Sequence, residues 1–210
     1  MSQIHIQNLF PVPLMRVEAF LTIAEINAVL NEMQSTPKFK NAKTQLLSHS
    51  EAIQPQDNEH FRKVSDKTLA YLRDFGFLLF GENLTWRVKE MWMNVLATGG
   101  HQSMHSHANS FISGVVYLTA CHKSANTVFH NTMGAREFVF SNTHANTATT
   151  PYNSPRWSAS DVKCGDLILF PSYMLHAVPP NEGGERITLA FNALPERLKS
   201  WDYEVQFAGM

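Results

Sequence analysis

His105-Ser106-His107 and, far downstream, His176 constrain the fold of this chain more than any other feature in it. Two imidazoles at i and i+2 point to one side when the backbone between them is extended, because side chains alternate faces along a strand. A third His from a distant segment reaches the same spot if another strand lies alongside. The pattern therefore calls for far-separated strands brought together, as in a closed or double-layered β structure. Three imidazoles gathered in this way read as an iron site, since neutral imidazole is a good ligand for a divalent transition metal. A three-ligand set leaves coordination positions open for chemistry, whereas structural metal sites fill every position with protein.

The third His, His176, sits in an informative context. Gly165-Asp-Leu-Ile-Leu-Phe-Pro171 is a short apolar run ending in Pro, followed by Ser172-Tyr-Met-Leu-His176-Ala-Val-Pro-Pro180, a turn at Asn181 to Gly184, and Arg186-Ile-Thr-Leu-Ala-Phe-Asn192. This reads as strand, strand, turn, strand. Pairing of the last two strands around the turn would set His176 nearly opposite Arg186 as a cross-strand neighbour. Arg186 and Thr188 then share one face, and Ile187, Leu189 and Phe191 take the other. A guanidinium and a hydroxyl beside a metal form a carboxylate clamp, and the planar fork of Arg binds a carboxylate through two charge-assisted bonds.

Upstream, Thr22-Ile-Ala-Glu25 forms a capping box, and Ile26, Val29, Leu30 and Met33 follow at helical spacing. Residues 35–58 are polar without a period and read as a long excursion over the surface. A second helix carries Val64, Leu69, Leu72 and Phe75 on one face, with Gly76 at its C-terminal end. From Leu84 onward, apolar and polar residues alternate between frequent turns, the signature of strands. Neither a repeat nor a linker interrupts the chain. The expectation is one domain over 1–210, with a helical part over about 14–80 and a strand core over about 84–195. Its class is mainly β with flanking helices, a double-stranded β-helix or jelly roll of cupin type.

Composition narrows the partners. With 17 Lys and Arg against 18 Asp and Glu, the chain lacks the basic excess that neutralises phosphates, so no nucleic acid is expected. No apolar run approaches membrane-spanning length, and the first residues carry no basic and apolar blocks, which leaves the cytoplasm as the expected location. Cys121 and Cys164 are too few for a disulfide framework and read as buried reduced thiols. Most of the ten His, including His5, His49, His60, His122 and His144, read as surface groups. His101 and His130 read either as supports of a site or as satisfied buried rings. Asn94 ends an apolar strand, where a buried amide demands partners.

Trp92-Met-Asn94, His105-Ser-His107-Ala-Asn109-Ser, Ser113-Gly-Val-Val-Tyr-Leu118, Val128-Phe-His-Asn131 and Gly165-Asp-Leu-Ile-Leu-Phe-Pro171 resemble the Fe(II)- and 2-oxoglutarate-dependent dioxygenases, and within them a subgroup of uncharacterised bacterial and phage oxygenases. The likeness covers roughly residues 90–192, with a weaker echo at Leu9 to Pro13. It implies a distal His at His176 and a clamp for the far carboxylate of 2-oxoglutarate at Arg186 and Thr188. It further implies hydroxylation of a small-molecule or peptide substrate coupled to release of succinate and CO2; Tyr117, which shares strand parity with His105 and His107, and Asn94 are then candidate contacts of the cosubstrate, although a strand Tyr also reads as plain core.

One departure stands out. Most of that superfamily has Asp or Glu two residues after the first His, and this chain has His107. Three arrangements would complete the ligand set: His107 itself, an oxygen of Asn109, or water; the spacing and chemistry favour His107. Residues 141–160 form a long polar loop, read either as a solvated insertion or as a lid carrying Tyr152, Arg156 and Trp157. Two other functions fit the residues less fully: a three-His cupin dioxygenase that does not use 2-oxoglutarate, and a non-enzymatic metal- or sugar-binding jelly roll.

Overall fold

A computed structural model describes residues 3–41, 46–131, 142 and 144–208. In chain order, β1 (Met15–Val17), α1 (Ile23–Ser35), β2 (Lys38–Lys40), β3 (Leu47–Ser50), α2 (Glu59–Phe80) and β4 (Trp86–Leu96) come first. Then follow β5 (Gln102–His105), β6 (Ile112–Tyr117), β7 (Val128–His130) and β8 (Arg156–Ser158). The last elements are β9 (Leu167–Pro171), β10 (His176–Val178), β11 (Arg186–Pro195) and the hairpin strands β12 (Arg197–Ser200) and β13 (Tyr203–Gln206). A major sheet of order β1-β9-β6-β11-β4-β3-β2 faces a minor sheet of order β5-β10-β7-β8. Two antiparallel sheets sharing an interior make the jelly roll that the strand pattern implied.

Strand alternation sorts the side chains between two environments. On β11, Ile187, Leu189, Phe191 and Ala193 pack into an apolar cluster with Ile26, Val29 and Met33 of α1 and Val64, Leu72 and Phe75 of α2. Arg186, Thr188 and Ala190, the alternate positions, line the cavity inside the roll. The helices therefore cover the outer face of the major sheet and leave its inner face to the site.

Both helices begin where local chemistry dictates. Thr22 Oγ1 accepts from the amide of Glu25 at 3.3 Å while the Glu25 carboxylate accepts from the amide of Thr22 at 2.7 Å, closing the capping box on α1. Asn58 Oδ1 accepts from the amide of His60 at 2.8 Å to start α2. The end of α2 differs from the sequence expectation. The helix runs through Gly76 and stops at Gly81, whose φ of 71° suits a left-handed cap. Gly76 serves packing instead: a Cβ there would lie 2.5 Å from the Trp86 indole, so the absent side chain lets α2 lie close to β4. Leu69, assigned to the buried face, is exposed.

The polar stretch 35–58 is not a free excursion. β2 and β3 extend the edge of the major sheet, and Ile53 bridges to Met91. Its polarity reflects that edge position, where charges such as Lys38 and Lys40 blunt further pairing. The thiols also differ from expectation: Cys121 is half-buried and Cys164 exposed.

The largest correction concerns β10 and β11, which do not form a hairpin. β10 pairs with β5 and β7, and β11 pairs with β4 and β6. Pro179 and Pro180 have no amide hydrogen to continue a ladder. Beyond them Asn181 ties the chain to the turn after β4: its amide donates to Gly100 O at 2.8 Å and its carbonyl accepts from the amide of Gly99 at 2.6 Å. The segment thus crosses from the minor sheet to the major one.

Asp166 anchors the first strand of the roll. Its carboxylate, only 2% exposed, accepts from Arg16 Nε and the amides of Ala19 and Lys163, each at 2.9 Å. Burial alone would raise its pKa, but these bonds and the Arg16 charge outweigh it and hold the group below its ordinary 3.8. Asp166→Ala is expected to lower stability by about 2–3 kcal/mol, the loss of charge-assisted bonds at a buried site, or roughly 5–10 °C in Tm for a chain of this size. The stability supplied by the ionised form is complete above the ordinary pKa and is lost as pH falls from there through the lowered value. Thermal melts down to pH 3 should show the gap between wild type and variant narrowing; a constant gap would contradict the assignment.

Candidate metal centre

Antiparallel pairing of β5 with β10 makes His105 and His176 direct partners. His107 lies just beyond the end of β5, held by its amide, which donates to Ser172 O at 2.9 Å. The i, i+2 pair converges although the strand itself ends at His105. The His105 ring lies 4.2 Å from that of His176 and 5.1 Å from that of His107, centroid to centroid, and the other two are 5.0 Å apart.

The three rings together offer one nitrogen each within 4.8 Å of the others. His105 Nδ1 lies 2.8 Å from Ser103 O, and His176 Nδ1 lies 2.9 Å from Met174 O. A carbonyl accepts only, so both Nδ1 atoms carry the hydrogen and both Nε2 atoms present lone pairs. His107 Nε2 is 3.2 Å from His176 Nε2. Two nitrogens bound to one ion at about 2.1 Å each, at near right angles, lie about 3 Å apart, so the donor set fits a divalent ion. Burial first, and then repulsion from His105, lowers the pKa of His176 to about 3 and that of His107 to about 4. Both rings are neutral at pH 7, the form that ligates. Trp92 packs on His107 at 5.4 Å and Phe170 meets His176 edge-on at 4.8 Å, which orients the rings.

Arg186 lines the same cavity from the major sheet. It is 4% exposed, its Nη2 donates to Thr127 Oγ1 at 3.3 Å, and its guanidinium sits 5.1 Å from the centre of the Tyr117 ring. Among the described residues its Nε has no hydrogen-bond partner and no ion pair includes it. A buried cation without a counter-ion is costly. An anion in the cavity would supply the counter-ion, and Thr188 and Asn94, partners across β11 and β4, line the cavity with Arg186.

Other positions are placed differently. Tyr117 is fully buried beneath Arg186 and does not line the cavity; its hydroxyl lies 3.0 Å from Thr127 Oγ1. Asn109 is exposed at φ 54° and lies outside the lining, as do His101 and His130. Tyr152, Arg156 and Trp157 are exposed and do not line the cavity; Arg156 and Trp157 belong to the edge strand β8, and the Tyr152 hydroxyl donates to the Asn8 side chain. Part of that loop, residues 141 and 143, lies outside the described residues. Thr127, which does line the cavity, was missed because a lone Thr ahead of a three-residue strand carries no motif.

Residues 90–192 match the model of a protein family described as "Putative 2OG-Fe(II) oxygenase". No curated protein sequence matches the chain. Among solved structures, HygX from Streptomyces hygroscopicus, with nickel and 2-oxoglutarate bound, superposes with a TM-score of 0.63 at 14% identity, covering 88% of this chain and 83% of that one. The non-heme alpha ketoglutarate dependent epimerase SnoN from nogalamycin biosynthesis gives 0.63 at 13% identity, covering 89% and 77%. The viral collagen prolyl hydroxylase of Paramecium Bursaria Chlorella virus-1 gives 0.56 at 14%, covering 86% and 94%. At these identities the likeness is one of fold.

Proposed function

We propose that this chain, whose residues 90–192 match the family described as "Putative 2OG-Fe(II) oxygenase", binds Fe(II) on His105, His107 and His176, takes 2-oxoglutarate as cosubstrate against Arg186, and hydroxylates a small molecule or peptide. The observation that carries this reading is one cavity lined both by three imidazoles and by a buried guanidinium that has no ion pair among the described residues. When bound, the ion and the keto acid supply the oxidising chemistry, with O2 consumed and succinate and CO2 released. The chain's residues hold and shield these groups. Arg186 and Thr188 would take the distal carboxylate, with Asn94 beside them. Val115, Phe170 and Ala190 give the cavity apolar walls that restrict water.

The exposure of Asn109 supports His107 as the third ligand, in the place where most relatives carry a carboxylate. An all-His set also suits a cupin dioxygenase that uses no keto acid, but that alternative would leave Arg186 buried without its anion. Structures of this fold hold hygromycin B in one case and nogalamycin RO in another, so the fold does not select among substrates. No helix among the described residues is long and apolar enough to cross a membrane. A reducing, cytoplasmic setting suits ferrous iron and two free thiols.

Anaerobic titration of the Fe(II)-loaded protein with 2-oxoglutarate tests the reading. Chelation of the ion by the keto acid should produce a weak visible charge-transfer band that saturates with ligand. Wild-type protein showing neither band nor binding would defeat the cosubstrate assignment.

A further inference from the structure

We propose that Thr127 is an additional hydrogen-bond donor to the anion at the Arg186 end of the cavity, and that Tyr117 acts through Thr127 rather than on the anion; this rests on the cosubstrate reading above. A threonine hydroxyl has one hydrogen and two lone pairs. The Arg186 guanidinium can only donate, so its 3.3 Å contact makes Thr127 Oγ1 an acceptor. The Tyr117 hydroxyl, 3.0 Å away, can stand in either role. If Thr127 donated to it, the phenol hydrogen would have no acceptor among the described residues, since the Arg186 guanidinium beside this fully buried group can only donate. Buried hydroxyls are almost always satisfied.

The other arrangement satisfies the phenol. Tyr117 donates to Thr127, both Thr127 lone pairs are then occupied, and the Thr127 hydrogen is left without an acceptor among the described residues. Thr127 is 2% exposed and lines the cavity, so that hydrogen is available to a ligand there. The Tyr117 ring meanwhile lies under the guanidinium and steadies its plane. One tyrosine thus orients two donors, the Arg186 fork through its face and the Thr127 hydroxyl through its edge. The ligand that matches them is a carboxylate, the far one of a keto diacid.

The test compares 2-oxoglutarate with pyruvate, which has the keto-acid end but no distal carboxylate, by calorimetry on the anaerobic Fe(II) protein. Thr127→Val should keep stoichiometric iron and lose about ten- to a hundredfold in 2-oxoglutarate affinity, the range of one hydrogen bond to a charged group. Pyruvate binding should be unchanged, and Thr127→Ser should recover most of the loss. Tyr117→Phe should weaken 2-oxoglutarate less than Thr127→Val does, and adding it to Thr127→Val should cost no more in affinity, because the two act in series. A Thr127→Val protein that binds 2-oxoglutarate as tightly as wild type, or that loses pyruvate in equal measure, overturns the proposal. Wild-type protein that binds pyruvate and 2-oxoglutarate alike points instead to failure of the clamp at Arg186, and this assignment falls with it.

Discussion

Arg186→Ala is expected to keep its iron and to lose 2-oxoglutarate. Arg186 stands on the major sheet and the three imidazoles gather on the minor sheet and the loop after it, so the metal does not depend on the guanidinium. Removing one partner of a buried ionic contact leaves the other charge unpaired, a loss of about 3–5 kcal/mol, which is a few hundredfold to several thousandfold in affinity. Arg186→Lys should recover only part, because an ammonium keeps the charge and loses the fork. Anaerobic binding, read from the visible band or by calorimetry, measures both variants. An alanine variant with wild-type affinity would remove Arg186 from the anion site.

Replacing His105 or His176 with Ala should abolish stoichiometric metal binding. Two remaining imidazoles cannot hold a labile divalent ion against water, and both residues have Nδ1 bonded to a backbone carbonyl so that Nε2 faces the centre. Elemental analysis after desalting is the measurement, with a melting curve to show that each variant is folded. Full iron occupancy in either variant would overturn the ligand set. His107→Asp restores the usual carboxylate of the superfamily and should retain iron; its loss would mean that residue 107 does not occupy that ligand position.

What the sequence revealed depended on range. The capping box at Thr22 and Glu25 was legible because its bonds close within four residues. The sorting of Arg186 and Thr188 from Ile187 and Leu189 was legible because pleating alone determines it. Pairing partners were not. β10 joins β5, whose residues lie some seventy positions earlier, and no local signal distinguishes that from folding back on β11. Two prolines and the tie at Asn181 make the difference, and the tie exists only once the turn at Gly99 and Gly100 is in place. Gly76 misled for a related reason: a helix-ending residue and a residue that admits a neighbour's indole look the same in one dimension. Thr127 acquires its meaning from Tyr117 and Arg186, at distances of 10 and 59 residues along the chain.

The crossover between β10 and β11 makes the interior of the roll a gauge of length. His176 and Arg186 belong to opposite sheets, whose backbones stand roughly 10 Å apart where sheets stack face to face, and the length left between the side chains is what a keto diacid would have to span. That separation is held by side chains that need not touch the ligand. Phe129 rises from the minor sheet and meets Phe170 of the major sheet edge-on at 4.9 Å, acting as a spacer. A diacid one carbon shorter would leave one of its ends short of its partner, and a longer one would have to fold. Discrimination among such acids is therefore written into aromatic packing as well as into the polar groups at either end, and thinning that packing would blur it while every ligand and donor stayed in the chain.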